Sequence, residues 1–180
     1  MTICLVGSEM CIRDRFVSTF PEFNIRTYVS KDGIPGVFFL TLEAKSLVTC
    51  SYAPKAYGLP YNYAKGKITK QGSIINWSSS RNDGDLDLIG TTEIYGTPQN
   101  AEPGSLEEFL FERYCLYTNK NGNIMRGYTH HKKWIFQPAK VNITSNSLTK
   151  NYNLGIKDLL APDLVHFSLG VNVRTYSIEI

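Results

Sequence analysis

The chain has 180 residues, of which 42% are hydrophobic and 12% aromatic, and its formal net charge is +3. This length and composition predict a single globular domain with one buried core. The basic residues are dispersed, which argues against a nucleic-acid-binding surface, and no apolar run approaches the roughly 20 residues of a membrane-spanning helix. The nearest approaches to basic patches are the pair Lys132-Lys133 and the group of Lys65, Lys67 and Lys70, and a solvated strand edge explains them.

Residues 1–15 are expected to be a non-native leader. Their apolar part is too short for a signal peptide, and Glu9 and Asp14 interrupt it. The stretch CLVGSEMCIRDR resembles translated sequencing-adapter read-through. We therefore predict that one domain spans residues 16–180 and that the native sequence begins within it, near Phe16. Without a secretory signal we expect a cytoplasmic location, in which Cys50 and Cys115 are small buried thiols.

Strand patterns dominate the region that follows. Glu22–Ser30 alternates with the period of a strand that has two unlike faces. The Asp32-Gly33 pair then predicts a hairpin turn, because it readily supplies positive φ angles. Val37–Leu42 is apolar on both faces, which predicts a central strand. Glu43–Tyr57 has the pattern of a helix that Pro54 shortens or kinks.

The rest of the chain predicts six further strands and one clear helix. The helix is LEEFLFERY, where Ser105 and Glu108 form a capping box. Hairpin turns are predicted at Gly72 and at Asn82-Asp83-Gly84. The predicted strands are Lys65–Gln71, Ser73–Ser80, Leu86–Tyr95, Asn123–His131, Trp134–Ile143 and Val165–Ile180. The total predicts a mainly β (α+β) fold, an antiparallel β-barrel or double sheet with two helices packed on it.

Four stretches carry a family resemblance: FPEFNIRTYV, GIPGVFFLTLEA, YGLPYNYA and PGSLEEFLFERYCLYT. In this order they resemble the bacterial YqjF-like family of unknown function (DUF2071), which is placed in the acetoacetate-decarboxylase-like fold. The resemblance spans Phe20 to about Val173 and implies a β-barrel that encloses an apolar cavity. Family members carry a further stretch before this point, which contains the first strands of the barrel. The resemblance therefore implies that this domain lacks its N-terminal strands and that the chain is similar to a fragment of a longer protein.

The same resemblance bears on one reaction. In the decarboxylase, a Tyr-Gly-x-Pro turn is followed by two lysines, of which the first forms a Schiff base with the substrate ketone and the second lowers its pKa. Here the turn Tyr57-Gly58-Leu59-Pro60 is followed by Tyr61 and Asn62, and Lys65 comes several residues later. Schiff-base decarboxylation is therefore not expected, and whether the domain is an enzyme stays open.

Candidate ligand-binding residues lie on two predicted strands and at this turn. Asn24, Arg26 and Tyr28 share one strand face, where a guanidinium beside an amide and a phenol can hold a carboxylate. A solvated outer face explains the same row equally well. Tyr61 at the turn and Arg126 on a later strand complete the predicted set.

Candidates for catalysis are weaker. Of the adjacent pair His130 and His131, His130 shares a face with Arg126 and suits acid–base work, while a buried histidine satisfied by a backbone carbonyl is the alternative. Glu43 is the carboxylate best placed either to meet an arginine or to cap the next helix. No ligand spacing predicts a metal site, and no cofactor is expected.

These features predict a small-molecule-binding domain with a pocket for a small carboxylate or ketone-like ligand. The alternative is a lyase- or hydrolase-type enzyme that acts without a Schiff-base lysine, and a purely structural domain is the third hypothesis. No nucleic-acid or membrane partner is expected. The sequence indicates neither the ligand nor the oligomeric state.

Overall fold

The chain forms thirteen strands and three helices in the residues that this computed structural model describes, which are 4–6, 10–11, 20–81, 86–150, 152, 154–156 and 158–179. The helices are α1 Leu47–Tyr57, α2 Leu106–Phe111 and α3 Ser147–Lys150. The strands are β1 Cys4–Val6, β2 Met10–Cys11, β3 Glu22–Lys31, β4 Ile34–Ala44, β5 Tyr61–Gln71, β6 Ile74–Arg81, β7 Asp87–Ile94, β8 Gln99–Asn100, β9 Cys115–Lys120, β10 Asn123–His130, β11 Ile135–Asn146, β12 His166–Phe167 and β13 Val173–Glu179.

The hairpin of β3 and β4 confirms the first two predicted strands. Asp32 and Gly33 connect them with φ angles of 54° and 76°, the left-handed conformation that a tight two-residue hairpin turn favours. The strands pair antiparallel along their whole length, and a bulge at Leu40 shifts the register between Ile25 and Arg26.

Strand β4 is the branch point of the sheet. One of its edges pairs with β3, and the other pairs in parallel with β9 and with β5. From β5 the sheet continues through β6, β7 and β11 to β12, and from β9 it continues through β10 and β13 to β2. Strand β1 pairs with β3, and β8 pairs with β11. The described strands form a mixed double sheet rather than a closed barrel, so the second of the two predicted architectures fits.

Two apolar clusters pack against this sheet. The first lies between the two layers and joins β3 to β6, β7 and β11 through Phe23, Ile25, Ile75, Trp77, Leu88, Ile143 and Leu148. The second lies on the other face of β4, beneath α1, and contains Phe20, Leu42, Ala44, Ala53, Leu59, Tyr61 and Leu116. Burial of these side chains supplies most of the stabilisation of the fold.

Helix α1 begins later than predicted. Glu43 and Ala44 belong to β4, because they pair in register with Asn62 and Tyr63 of β5. The N-cap is Ser46, whose Oγ accepts from the backbone N–H of Thr49 at 3.2 Å, so the prediction that Glu43 caps the helix is wrong. Pro54 lies within the helix and does not shorten it.

The second half of the chain differs from prediction at the end of α2 and at residues 165–180. Helix α2 ends at Phe111, before the end of the predicted helix LEEFLFERY. The residues directly after that stretch, Cys115–Lys120, form strand β9, which was not predicted. The single strand predicted at 165–180 is two strands, β12 and β13. The capping box is confirmed, with the N–H of Glu108 donating to Ser105 Oγ at 3.1 Å.

Two other predictions stay untested. The predicted turn at Asn82-Asp83-Gly84 lies outside the described residues. Strands β1 and β2 fall within the predicted leader, and the domain boundary at residue 16 stays a prediction. None of the helices in the described ranges is long and apolar enough to cross a membrane.

Candidate functional site

Two buried polar clusters lie on opposite faces of the sheet formed by β3, β4 and β5. Residues paired in register share a face, and alternate residues along a strand point to opposite faces. Glu22 and Asn24 therefore lie on the face of Tyr61, beneath α1. Thr41 and Glu43 lie with Asn62 on the face that looks toward the second layer.

The first cluster, called here the Glu22 cluster, consists of Glu22, Asn24, Arg26 and Tyr61. Tyr61 Oη donates to Glu22 Oε2 at 2.8 Å, and Asn24 Nδ2 donates to Glu22 Oε1 at 3.4 Å. Burial raises the pKa of Glu22, while the two hydrogen bonds and the positive charge of Arg26 oppose the rise. Burial and the neighbouring Glu22 hold the pKa of Tyr61 well above its usual range, so its hydroxyl keeps its proton.

Asn24 has one atom that this cluster does not use. Its side chain is 7% exposed, and its Oδ1 is buried with no hydrogen-bond partner among the described residues. A buried acceptor left without a donor costs about 1–3 kcal/mol. A ligand that donates an O–H or N–H to this oxygen would recover that free energy.

The second cluster is centred on Glu43, which is 1% exposed. Arg81 binds it through two contacts, Nη2 to Oε1 at 2.8 Å and Nε to Oε2 at 2.9 Å. Thr41 Oγ1 donates to the same carboxylate at 2.6 Å, and Asn62 Nδ2 donates to Thr41 Oγ1 at 3.1 Å and to the carbonyl of Pro60 at 3.0 Å. Glu43 thus meets an arginine, Arg81, while its predicted catalytic role stays a prediction. The hydrogen bonds within this network hold the Tyr-Gly-x-Pro turn against β4 and β6.

Arg81 was not predicted as a site residue, because the predicted strand ended one residue earlier, at Ser80. The available signal was the continuation of the strand pattern through IINWSSSR to the last residue of β6. Glu22 was also missed as a site residue, although it lies two positions before Asn24 on the same predicted strand face. Its partner Tyr61 is 39 residues away in sequence.

The other predicted ligand-binding residues lie apart from the Glu22 cluster. Tyr28 is on the same face of β3, but its hydroxyl donates to the carbonyl of Leu110 at 3.1 Å, which ties α2 to the sheet. Arg126 pairs in register with Tyr117 on the opposite face, and its guanidinium lies 5.4 Å from the ring centre of Tyr128. The ligand-binding role of both residues stays a prediction.

The two histidines have different surroundings. His130 is exposed, and its predicted catalytic role stays untested. His131 is 7% exposed and matches the structural alternative: Nδ1 lies 2.8 Å from the carbonyl of Lys132 and Nε2 lies 3.3 Å from that of Arg113. Its ring stacks on Tyr114 with centres 4.6 Å apart. Burial and the hydrogen bond to Glu112 raise the pKa of Tyr114 to about 12.

A cavity of about 200 Å³ adjoins the Tyr-Gly-x-Pro turn. Gly58, Leu59 and Pro60 form one wall, and Phe39, the register partner of Arg26, forms part of another. No three His, Cys, Asp or Glu side chains in the described ranges come together as metal ligands. The two positions after the turn hold a phenol and an amide, both of which hydrogen-bond to neighbouring residues.

The fold is similar to several solved structures. The acetoacetate decarboxylase of Legionella pneumophila superposes with a TM-score of 0.60 at 17% identity, covering 88% of this chain and 64% of that one. The enduracididine biosynthesis enzyme MppR with HEPES buffer bound superposes with a TM-score of 0.54 at 10% identity, covering 86% of this chain and 58% of that one. At these identities the likeness shows the fold alone.

Sequence comparison identifies a relative of higher identity. The uncharacterized protein YqjF of Bacillus subtilis (strain 168) is 33% identical over 150 residues, which are 83% of this chain and 61% of that protein. This chain therefore spans less than two thirds of that relative. The family model DUF2071, described as an uncharacterized conserved protein, matches residues 6–172. With its fold of the acetoacetate decarboxylase type, the chain belongs to the DUF2071 family.

Proposed function

We propose that this domain binds a small carboxylate or ketone-like molecule at the Glu22 cluster, without forming a Schiff base. The observation that carries the proposal is the buried Asn24 Oδ1, which has no described hydrogen-bond donor and lies beside a buried carboxyl and phenol. Folding alone does not favour such a group, because buried polar atoms are normally hydrogen-bonded. A ligand that supplies the missing donor explains it.

The cluster offers a distinct contact to each part of such a ligand. Arg26 carries the positive charge and suits the carboxylate. The Glu22–Tyr61 pair suits a carbonyl oxygen, because burial raises the pKa of both groups. Asn24 Oδ1 accepts from a hydroxyl or enol of the ligand.

The structural neighbours support the choice of ligand class. One MppR structure, with a TM-score of 0.54, is a complex with the condensation product of pyruvate and imidazole 4-carboxaldehyde, and another neighbour is a decarboxylase of acetoacetate. Both names point to small keto acids. In this chain Tyr61 and Asn62 follow the turn where the decarboxylase resemblance calls for lysines, so we propose recognition by hydrogen bonds and charge.

The test is calorimetric titration of the domain with 3-hydroxybutyrate, whose hydroxyl can donate to Asn24 Oδ1, beside acetoacetate and pyruvate, which have only their enol forms for that contact. Arg26→Met removes a charged contact and should weaken binding by about 10-fold or more, since one hydrogen bond to a charged group contributes roughly 1.5–3 kcal/mol. Asn24→Leu removes a neutral hydrogen bond, worth about 0.5–1.5 kcal/mol, and should weaken the binding of 3-hydroxybutyrate by about 2- to 12-fold. Tyr128→Phe, an exposed tyrosine on β10, is the matched control and should bind as the original does. Equal binding by all variants, or a collapse of the melting temperature in Arg26→Met, would contradict the proposal.

Borohydride treatment in the presence of acetoacetate checks the absence of a Schiff base. We expect no covalent adduct by mass spectrometry, and a stable adduct on Lys65 would overturn this part of the proposal. The second candidate function, a lyase or hydrolase, is favoured by a carboxyl whose pKa burial raises and which lies beside a phenol, since such a pair suits proton transfer to a carbonyl. Turnover of either keto acid that disappears in Tyr61→Phe would support it.

A further inference from the structure

Like the cavity at the Tyr-Gly-x-Pro turn, a second cavity, of about 330 Å³, has no residue of the Glu22 cluster in its lining. Its walls come from β5, β6, β7 and the region of β12, together with Phe20 and Pro21. This volume lies within the range of small-molecule sites in proteins. Most of the lining is apolar, including Phe20, Ile68, Ile75 and Phe167.

The register of the sheet explains this apolar wall. Lys70 pairs with Ile75, and Ile75 pairs with Thr92, so the three side chains share one face. Ile68 lies two residues before Lys70 and points to the same side. That face looks toward the space between the two layers, which places one lysine at the end of an apolar surface.

Lys70 differs from the two lysines near it in sequence. Lys65 and Lys67 lie on the opposite face of β5, because they are an odd number of residues away. The Lys70 ammonium lies 5.3 Å from the ring centre of Phe167, which also lines the cavity. Within the described ranges no carboxylate forms an ion pair with it.

The other polar side chains of the lining have hydrogen-bond or ion-pair partners, except for the hydroxyl hydrogen of Thr92. His166 Nε2 lies 3.4 Å from a carboxylate oxygen of Glu107, and Ser168 Oγ donates to the carbonyl of Ile135 at 2.6 Å. Thr92 Oγ1 accepts from Trp77 Nε1 at 2.9 Å, and the described hydrogen bonds show no acceptor for its hydroxyl hydrogen. The cavity therefore offers one cation and one hydroxyl donor beside an apolar wall.

We propose that this cavity binds a medium-chain carboxylate, with its hydrocarbon chain against Ile68 and Ile75 and its carboxylate near Lys70. A water molecule occupies about 30 Å³ in the liquid, and a methylene group is of similar size. The cavity therefore has room for a chain of about eight to ten carbons. This site is independent of the keto-acid site proposed at the Glu22 cluster.

The experiment is a calorimetric titration with straight-chain carboxylates from four to fourteen carbons. Each buried methylene should strengthen binding about fourfold, and the gain should stop at about eight to ten carbons, where the cavity is full. An affinity that does not depend on chain length, or one that keeps rising to fourteen carbons as in surface adsorption, would overturn the proposal.

Variants then locate the site. Lys70→Met should weaken octanoate about three- to fivefold, as expected for a partly exposed ion pair, and should leave 1-octanol unchanged because the alcohol has no charge. Lys67→Met on the opposite face is the matched control and should bind octanoate as the original does. Equal weakening by both lysine variants would contradict the assignment.

Asn24→Leu separates this site from the one proposed above. It should leave octanoate binding unchanged even if it abolishes the binding of keto acids. Parallel loss of both ligands in Asn24→Leu would mean that there is only one site and would overturn this inference.

Discussion

Glu22 and Glu43 are both buried carboxyl groups, but their partners differ in charge. Glu43 has a bidentate arginine, so its negative charge is compensated directly. Glu22 receives hydrogen bonds from a phenol and an amide, and Arg26 acts on it through its charge. The two groups should therefore respond differently to substitution: Glu43 as part of a structural ion pair and Glu22 as a group whose pKa is raised by burial.

The raised pKa of Glu22 predicts a pH-dependent stability. A carboxyl whose folded-state pKa lies above its unfolded value contributes stability that is fully present below the unfolded pKa and is lost as pH rises through the folded pKa. Glu22→Gln cannot ionise, so it should gain stability relative to the original chain as pH rises from about 4 to 8. Urea unfolding across this range measures the difference. Glu93→Gln, on an exposed carboxylate of β7, should show no such trend, and a matching trend in both variants would contradict the assignment.

The Glu43–Arg81 pair predicts strong coupling between its members. Arg81→Met leaves a carboxylate that is 1% exposed without its cation, which should lower the free energy of unfolding by about 3 kcal/mol. Adding Glu43→Gln removes the uncompensated charge and should recover part of that loss. Arg81→Lys keeps the charge but not the bidentate geometry, so it should be intermediate. A double-mutant cycle by urea unfolding measures the coupling, and simple additivity would show that the pair is unimportant.

Among the secondary-structure elements, local sequence patterns predict those that short-range contacts determine. The β3–β4 hairpin follows from period-two alternation and an Asp-Gly turn, and the α2 capping box follows from two residues three apart. The start of α1 is different, because Glu43 and Ala44 join a strand through parallel pairing with residues of β5. Strand β9 was missed because its short apolar run directly follows a helical pattern. Runs of this length do not distinguish helix from strand.

The residues of the candidate site divide in the same way: those related by a local pattern were predicted, and the contacts between residues far apart in the chain were not. Asn24 and Arg26 were predicted together because alternation along one strand is local. The turn before Tyr61 was recognised from the family resemblance. That this chain lacks the two lysines after the turn is visible in the sequence. The Glu43–Arg81 contact joins residues 38 apart, and no spacing along the chain predicts it. The bulge at Leu40, which sets the register partner of Arg26, is likewise a property of the paired strands.

Two glycines with similar backbone angles, Gly58 in the Tyr-Gly-x-Pro turn and Gly72 in a hairpin turn, should differ in how much stability an alanine substitution costs. Gly58 and Gly72 have φ angles of 69° and 61°, so alanine at either position should cost about 1–2 kcal/mol. At Gly58 an added Cβ would also lie 2.7 Å from the backbone oxygen of Asn119, whereas at Gly72 nothing lies within 4 Å. Gly58→Ala should therefore cost a further 1–3 kcal/mol or so. Chemical denaturation measures both, and equal losses would show that the turn moves away from β9 freely.

Across the whole molecule, the two tryptophans report on different regions. Trp77 is 2% exposed and lies in the core between the layers, where its ring centre is 6.3 Å from that of Phe23 and its Nε1 donates to Thr92. Trp134 packs at the end of α2, with its ring centre 6.3 Å from that of Phe111. If the double sheet and α2 form one cooperative unit, as a single domain should, both regions unfold together.

Single-tryptophan variants test this cooperativity. In Trp134→Phe only Trp77 remains to report, and in Trp77→Phe only Trp134 remains. In each variant the urea midpoint from fluorescence should equal that from far-ultraviolet circular dichroism, since one transition governs every probe. Trp77→Phe should be the less stable of the two, because it removes buried volume and leaves Thr92 without its indole donor. A fluorescence midpoint in Trp77→Phe below its dichroism midpoint would show that the α2 side unfolds before the double sheet.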